Sequence, residues 1–249
     1  MSKDLDKYLR DYLDLPFERI FECYRHEKVL ELIHSANLSK DIKFLEIGPG
    51  LNPIFNIIKE FGVAHVLEPV NELFQINKEK IPKESLVNLY NMTLEDFFNS
   101  SYKLPSYDLI ILSSVLHEIP EYQKALIQCF NLLSSGGKII IVVPNNRSLH
   151  RLIGQESGLH PIGEYLTKTE IMMQQGVSFS LTSLQNELLE IGFKTEVLKS
   201  EFIKIFPHLI MQELFNQKVL DQQILDFFSK ISYLLPEFGS EIFYLGKKP

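Results

Sequence analysis

Two glycines, Gly48 and Gly50, lie in a turn that follows a short apolar run of the chain. Glycine has no Cβ atom, so the backbone at these positions can pass close to a bound ligand. The stretch that follows, residues 53–61, is predicted to be a helix with Asn52 as its N-cap and Pro53 as its first residue. Because amides at a helix N-terminus favour polar or anionic groups, this segment predicts a site for a small polar ligand.

The next candidate is a carboxylate whose sequence spacing from the two glycines suits the binding of a ribose. Glu68 ends the next apolar run, 18 positions beyond Gly50 (68 minus 50). A spacing of roughly 20 is that of the acidic residue that accepts ribose hydroxyls in nucleoside-binding βαβ units. The dinucleotide fingerprint would need a third glycine at position 53, where the chain has Pro53. An NAD(P)-dependent oxidoreductase is therefore the weaker alternative.

Predicted strands and helices alternate along the chain, and these elements must position the residues named above. Short apolar runs rich in β-branched residues are separated by amphipathic stretches, a pattern typical of a doubly wound α/β fold. The predicted strands are residues 43–47, 64–67, 86–90, 107–112, 138–143, 194–199 and 241–245. Further predicted helices are residues 70–80, 94–99, 121–133 and 181–191, the last ending at Gly192.

Three regions outside this alternation are predicted to be helical additions. Residues 1–40 form an N-terminal helical cap, and residues 41–249 form the α/β domain, with insertions at about 144–177 and 207–238. We expect the cap and the insertions to form a lid over the carboxyl ends of the strands, where doubly wound folds bind ligands. The late strands, interrupted by helices, predict a mostly parallel sheet with a reversed strand near one edge.

Five motifs in chain order resemble those of the class I, Rossmann-like S-adenosylmethionine-dependent methyltransferases, of the small-molecule type. The first resembles the family's acidic residue with alternating glycines, and the second its acidic residue after strand two. The third resembles the adenine turn, the fourth the strand and loop under the methionine, and the fifth the turn into strand five. They comprise Glu46 with Gly48, Pro49 and Gly50, where Asn52 replaces a third glycine; Glu68 with Pro69; and residues 91–97, 107–118 and 132–138.

This resemblance implies a seven-stranded sheet, S-adenosylmethionine as cofactor and S-adenosylhomocysteine as product. The turn at residues 48–50 would approach the methionine part, Glu46 would orient its ammonium, and Glu68 would accept the ribose hydroxyls. Thr93 and Leu94 would flank the adenine. The implied cofactor-binding residues are Glu46, Gly48, Pro49, Gly50, Asn52, Glu68, Pro69, Thr93, Leu94, Ser113 and Ser114, the two serines facing the methyl region.

The resemblance further implies in-line methyl transfer to an oxygen, nitrogen or carbon nucleophile of a small-molecule acceptor. Alignment and exclusion of water would set the rate, and a general base is needed only if the acceptor arrives protonated. His117 and Glu118, just beyond strand four, are the candidate bases; the alternative is that they only begin the next helix. Candidate acceptor-binding residues, with packing or surface roles as the alternative, are Tyr24, Arg25, His150, His160 and Tyr165.

Composition argues against several other functions. The net charge is −7, from 25 Lys and Arg against 32 Asp and Glu, so nucleic acid is not an expected partner. The two cysteines and the spacing of the histidines predict neither disulfides nor a metal site. No apolar run reaches the roughly 20 residues of a membrane span, so we expect a cytoplasmic protein. A non-catalytic protein that binds the cofactor or its product stays open, as do the oligomeric state and the identity of the acceptor.

Overall fold

The computed structural model describes residues 4–14, 16–100, 106–158, 171 and 173–249. Within these ranges the strands form one seven-stranded sheet. They are β1 (Lys43–Ile47), β2 (Val63–Leu67), β3 (Val87–Tyr90), β4 (Tyr107–Ser113), β5 (Leu133–Pro144), β6 (Lys194–Glu201) and β7 (Glu241–Lys247). Their order across the sheet is β3-β2-β1-β4-β5-β7-β6.

The sheet is mixed rather than parallel throughout. β1 to β5 run parallel to their neighbours, whereas β7 is antiparallel to both β5 and β6. The predicted seven-stranded α/β sheet with one reversed strand near an edge is therefore confirmed. Chain order changes direction between β1 and β4, and ligands of open α/β sheets bind at such a point, outside the carboxyl ends of the strands.

Helices cover both faces of the sheet. They are α1 (Leu5–Leu13), α2 (Pro16–Ser35), α3 (Asn71–Glu79), α4 (Leu94–Asn99), α5 (Tyr122–Leu132), α6 (Leu149–Glu156), α7 (Leu181–Ile191), α8 (His208–Asn216) and α9 (Gln222–Lys230). Helix α7 ends as predicted at Gly192, which has a φ of +110°. The left-handed conformation there favours glycine.

Apolar side chains form two cores against the sheet and a third beside it. In the first core Ile110 packs with α5 and α7, and in the second Ile111 packs with α2. Ile110 and Ile111 are neighbours in β4, so their side chains point to opposite faces of the sheet. Both are fully buried because both faces are covered. The third core joins Phe21 of α2 to Met211 of α8 and Leu225 of α9. Helices that are far apart in sequence thus share one apolar core beside the sheet.

The helix predicted over residues 53–61 is wrong. Only a 3-10 turn, Ile54–Asn56, forms there, and Pro53 before it is extended, with φ −64° and ψ 144°. Asn52 is not an N-cap, since its side-chain amide instead donates to a carboxylate of α2 at 2.6 Å. The Ile54 N–H bonds to the carboxylate of Glu46, within the preceding strand. This contact holds the chain in a loop that passes close to β1.

The predicted helical additions contain helices in the ranges that the structure describes. Residues 1–40 include α1 and α2, and the two insertions include α6, α8 and α9. Residues 159–170 and 172 of the first insertion lie outside the described residues. The division into a cap and a domain, and the role of these helices as a lid, stay predictions.

Candidate active site

The turn after β1 has a backbone conformation that favours glycine. Gly48 has a φ of +63° and Gly50 a φ of +61°. A Cβ atom on Gly48 would lie only 2.7 Å from Cγ2 of Val115, in the loop after β4. The Gly48 N–H donates to the carbonyl of Leu67, at the end of β2, at 2.8 Å. Residues 48–50, here called the glycine turn, are thus fixed between two neighbouring strands.

Glu68 holds the glycine turn from the end of β2. Its side chain is 2% exposed. Oε2 accepts a hydrogen bond from the Gly50 N–H at 3.2 Å, and Oε1 accepts one from the Val70 N–H at 2.9 Å. The Glu68 carboxylate, which is predicted to bind the ribose, is therefore in direct contact with the glycine turn, which is predicted to bind the methionine part.

Glu46 is a second buried carboxylate beside the turn. Both of its oxygens accept from the Ile54 N–H, at 2.9 and 3.0 Å. Burial raises the pKa of Glu46 to about 8, against the lowering effect of the Ile54 hydrogen bond. The neighbouring carboxylates of Glu68 and Glu22 raise this pKa as well. The structure thus places Glu46 under the loop that follows the turn.

A cavity of about 550 Å³ opens where the glycine turn meets the ends of β4, β5 and β7. Helices α1, α2, α6 and α8 contribute side chains to its lining. The lining residues used below are Tyr8, Tyr12, Glu18, Phe21, Arg25, Gly48, Pro49, Gly50, Ser113, Ser114, His117, Glu118, His150, Arg151, Lys204, His208 and Glu241. The cavity therefore brings predicted cofactor residues together with residues of the cap and of both insertions.

The end of β4 presents two serines to this cavity. The Oγ of Ser113 is buried and has no hydrogen-bond partner among the described residues. Ser114 has a φ of +61°, which is uncommon for a residue other than glycine. Strained backbone and orphaned polar atoms are found at ligand sites more often than elsewhere. This end of the cavity therefore suits a small polar ligand.

The candidate bases lie in the 3-10 turn Leu116–Glu118 and line the cavity. His117 is 2% exposed, and its Nε2 lies 3.9 Å from Oε1 of Glu118. The hydroxyl of Tyr8, on α1, hydrogen-bonds the Glu118 carboxylate. Burial raises the pKa of Tyr8, and the charge of Glu118 raises it further. Both residues belong to this short 3-10 turn and precede α5, which begins at Tyr122, so their role as bases stays a prediction.

The predicted acceptor-binding residues separate in the structure. Arg25 and His150 line the cavity. Tyr24 points elsewhere, because its hydroxyl donates to Oδ1 of Asp226 at 2.5 Å, between α2 and α9. His160 and Tyr165 lie outside the described residues.

The residues predicted near the adenine lie further along the same edge of the sheet. Thr93 is the N-cap of α4, where its hydroxyl accepts from the Asp96 N–H at 3.1 Å. Leu94 is 5% exposed and belongs to the first core. Pro69 follows Glu68 directly, after β2. These positions continue from the glycine turn over β2 and β3, away from the β5 and β7 side.

Sequence reasoning found only Arg25 of a cluster of charged residues at the β7 side of the cavity. Arg25 donates from Nη2 to Glu18 at 2.5 Å and from Nε to Glu241 at 2.7 Å. Lys204, 4% exposed, and His208, whose Nδ1 lies 3.3 Å from Oε2 of Glu18, complete it. We call these five residues, with Arg151, the charged end of the cavity. The available signal was a charge within an apolar run, as at Lys204 in Phe-Ile-Lys-Ile-Phe.

Burial dominates the electrostatics of the charged end. It raises the pKa of Glu241 to about 7 despite Arg25, whereas for Glu18 the opposing effects, led by the charge of Arg25, outweigh burial and lower the pKa. Burial lowers the pKa of Lys204 to about 7 and that of His208 to about 3. At neutral pH His208 is therefore uncharged.

A family model described as a methyltransferase domain matches residues 21–198 of the chain. This match covers more than half of the 249 residues. The chain belongs to this family. It is an S-adenosylmethionine-dependent methyltransferase of the Rossmann-like class, and methyl transfer is favoured over the oxidoreductase alternative.

Two relatives share recognisable sequence with this methyltransferase. An uncharacterized methyltransferase of Bacillus cereus is 27% identical over 173 residues, which are 64% of this chain and 76% of that protein. An uncharacterized protein of Methanocaldococcus jannaschii is 26% identical over 149 residues, 59% of this chain. That match spans only 58% of the archaeal protein's length.

Solved structures share the fold at low sequence identity. A chain of the complex between the Haloferax volcanii Trm112 methyltransferase activator and the putative methyltransferase superimposes with a TM-score of 0.64 at 12% identity, covering 100% of this chain and 99% of that one. The N-methyltransferase NodS from Bradyrhizobium japonicum, in complex with S-adenosylhomocysteine, gives a TM-score of 0.56 at 13% identity, covering 95% and 89%.

In the described ranges of the chain, no helix combines the length and the apolar character that crossing a bilayer requires. Among the same residues, no group of three or more His, Cys, Asp or Glu is arranged to hold a metal ion.

Proposed function

We propose that this methyltransferase transfers the methyl group of S-adenosylmethionine to an oxygen, nitrogen or carbon nucleophile of a small-molecule acceptor. The observation that carries the proposal is the cavity of about 550 Å³, which is lined by the glycine turn, by the two serines at the end of β4 and by residues of four helices. Its volume is typical of small-molecule sites.

The residues at the glycine turn suit the methionine part and the methyl group of the cofactor. When bound, S-adenosylmethionine supplies an electrophilic methyl group on a sulfonium that is its own leaving group. The backbone of Gly48, Pro49 and Gly50 binds the methionine part, and the Ser113 hydroxyl and Ser114 face the methyl region. Glu46 acts indirectly, by holding the loop at Ile54, and Asn52 does so through its contact with α2.

The remaining cofactor contacts follow the sheet edge toward β3. Glu68 accepts the ribose hydroxyls while it holds Gly50 in place, and Pro69 shapes the turn beside it. Thr93 and Leu94, at the start of α4, flank the adenine. What supports this assignment is that these residues follow β1, β2 and β3, which are neighbours in the sheet.

The cap, residues 1–40, and the two insertions act as a lid over this path. α1, α2, α6 and α8 contribute Tyr8, Arg25, His150 and His208 to the cavity. Such a lid excludes water and aligns the acceptor nucleophile with the methyl carbon, which are the main demands of an in-line displacement.

His117 serves as the general base when the acceptor carries a proton on its nucleophile. It lines the cavity in the turn after β4, next to the serines at the methyl region. Glu118 is the second candidate, but its carboxylate already accepts from the Tyr8 hydroxyl. We therefore assign proton removal to His117 and the attachment of α1 to Glu118.

Calorimetric titration with S-adenosylhomocysteine and with NADH tests the cofactor assignment. We expect binding of the former and none of the latter, and preferential binding of NADH would overturn the proposal. Turnover is then followed as release of S-adenosylhomocysteine with a panel of oxygen, nitrogen and carbon nucleophiles. Tight cofactor binding without any turnover would favour the non-catalytic alternative. Mass spectrometry of a co-purified ligand would identify the acceptor.

A further inference from the structure

Two further cations line the charged end of the cavity beside Arg25. Arg25 donates to both carboxylates of the cluster, to Glu18 at 2.5 Å and to Glu241 at 2.7 Å. Lys204 and Arg151 line the same space. Removing the charge of a lysine from water is costly unless an opposite charge compensates it.

Lys204 is the residue that most needs a partner. It is 4% exposed, and its Nζ lies 5.4 Å from the centroid of the Phe21 ring. Among the described residues its ammonium group has no ion pair within 4.0 Å and no hydrogen bond. After burial, the charge of Arg151 is one of the causes that lower the pKa of Lys204. Two cations thus repel one another across a space that a ligand can enter.

We propose that Lys204 and Arg151 bind a carboxylate of the methyl acceptor, so that the natural acceptor is a small organic acid. The inference rests on the proposed function and adds the chemical class of the substrate. A carboxylate between the two cations gains charge-assisted hydrogen bonds and removes their mutual repulsion. Phe21, under the Lys204 amine, offers an apolar surface to the adjoining carbon atoms.

The fold separates this carboxylate from the reacting group. Lys204 follows β6, and Glu241 begins β7, whereas the glycine turn follows β1. β4 and β5 lie between β1 and β7, which at about 4.8 Å per strand places the two ends roughly 14 Å apart. The cation pair therefore suits a group of the acceptor that is remote from the methyl-accepting atom.

Titration with matched acids and amides tests the proposal. The probes are benzoate, phenylacetate and hexanoate, each paired with its neutral amide, added to the protein with and without saturating S-adenosylhomocysteine. We expect at least one acid to bind about tenfold to a hundredfold more tightly than its amide. Equal affinity within every pair, or no binding by any acid, would overturn the proposal.

Two variants tie the preference to the residues. Lys204→Met and Arg151→Met should each abolish the preference for the acid, whereas Lys194→Met, at an exposed position that begins β6, should keep it. A preference that survives both substitutions would contradict the assignment. Arg151→Met gives an independent result if Lys204→Met does not fold.

Binding of the cofactor product distinguishes this proposal from the previous one. Failure of the wild type to bind S-adenosylhomocysteine would reject the proposed function. If Lys204→Met lost affinity for S-adenosylhomocysteine but kept its affinity for methylthioadenosine, which lacks the amino-acid part, Lys204 would belong to the cofactor site. That result would overturn the acid proposal and leave methyl transfer intact.

Discussion

Oε2 of Glu68 accepts a hydrogen bond from the Gly50 N–H at 3.2 Å, which joins the end of β2 to the glycine turn after β1. The same carboxylate accepts from Val70 through Oε1, so one side chain fixes two loops. A residue that holds the turn and also binds the ribose would make both halves of the cofactor site depend on one carboxylate.

Replacement of Glu68 by alanine should weaken binding of S-adenosylhomocysteine by about 1.5 to 3 kcal/mol. The loss has two sources, the missing acceptor for the ribose and the unsupported Gly50 N–H. Isothermal titration calorimetry measures it. Glu72→Ala, at an exposed position in the first turn of α3, is the matched control and should leave the affinity unchanged. A folded Glu68→Ala variant with wild-type affinity would remove Glu68 from the site.

Gly48→Ala should abolish cofactor binding and lower the free energy of unfolding by about 1 to 3 kcal/mol. The new Cβ would combine a φ of +63° with a distance of 2.7 Å to Cγ2 of Val115. Gly158→Ala separates the two effects, because Gly158 has a φ of +69° with no atom within 4 Å of such a Cβ. Urea denaturation should show the larger loss for Gly48→Ala. Equal losses would mean that the contact with Val115 relaxes without cost.

The order of elements was accessible from the sequence because burial on both faces of a parallel sheet leaves long apolar runs. β1, for example, has the predicted bounds, Lys43–Ile47. β5 is longer than predicted, since it begins at Leu133 instead of 138. Its first residues include Gly136, with a φ of +81°, and the pairing with β4 shifts register near Tyr107. The first residues of β5 are mainly glycine and serine, which are typical of turns. The sequence therefore predicts a turn where the strand in fact begins.

Local patterns failed where a distant contact decides the structure. The loop at residues 53–61 is held by Glu46, and the spacing around Pro53 gave no indication of that contact. The charged end brings together Arg25, Lys204 and Glu241, which are separated by most of the chain. Only the arrangement of α2 beside β7 and α8 makes them neighbours. Candidate cofactor residues could be found because they follow consecutive strands, whereas acceptor residues come from additions with no shared spacing.

Helix α1 should open locally and close when the cofactor product binds. None of its residues belongs to the three apolar cores, and its attachments include the Tyr8 contact with Glu118 and two hydrogen bonds of Asp4 with Gln174, at 2.8 and 2.9 Å. Elements with few buried contacts exchange their amide hydrogens faster. We expect exchange in α1 at least about tenfold faster than in α2, which carries the buried Val29.

The effect of ligand on this exchange tests the lid. S-adenosylhomocysteine should slow exchange in α1, and Tyr8→Phe should reduce that protection because α1 loses its bond to Glu118. Hydrogen exchange followed by mass spectrometry measures both changes. Equal protection of α1 and α2 without ligand would argue that α1 is a fixed part of the fold.

His117→Gln should lower kcat by about 100-fold to 10,000-fold for an acceptor whose nucleophile carries a proton. The substitution removes a group that can take the proton, while affinity for S-adenosylhomocysteine should stay within about twofold of wild type. His34→Gln, at an exposed position in α2, is the control. An unchanged kcat with such an acceptor would exclude His117 as the base.

The contribution of Lys204 to the stability of the protein should rise with pH. Burial lowers the pKa of its ammonium to about 7 in the folded state, against an ordinary value of 10.5. Between these values the unfolded chain binds more protons, so the free energy of unfolding increases with pH by up to about 1.4 kcal/mol per pH unit. Lys204→Met should remove this increase and be more stable than the wild type near neutral pH.

The other groups around Lys204 change little between about pH 8 and 9. Guanidinium groups keep their proton, Glu18 is ionised, Glu241 with its pKa of about 7 is mostly ionised above pH 8, and His208 is neutral in the folded and unfolded states there. Urea denaturation gives the free energy of unfolding of the wild type and of Lys204→Met at both pH values. The change with pH in the wild type minus the change in the variant is the contribution of Lys204. A wild-type protein whose stability relative to Lys204→Met stays constant over this interval would show that Lys204 keeps its ordinary pKa, and that its ammonium is solvated in the cavity.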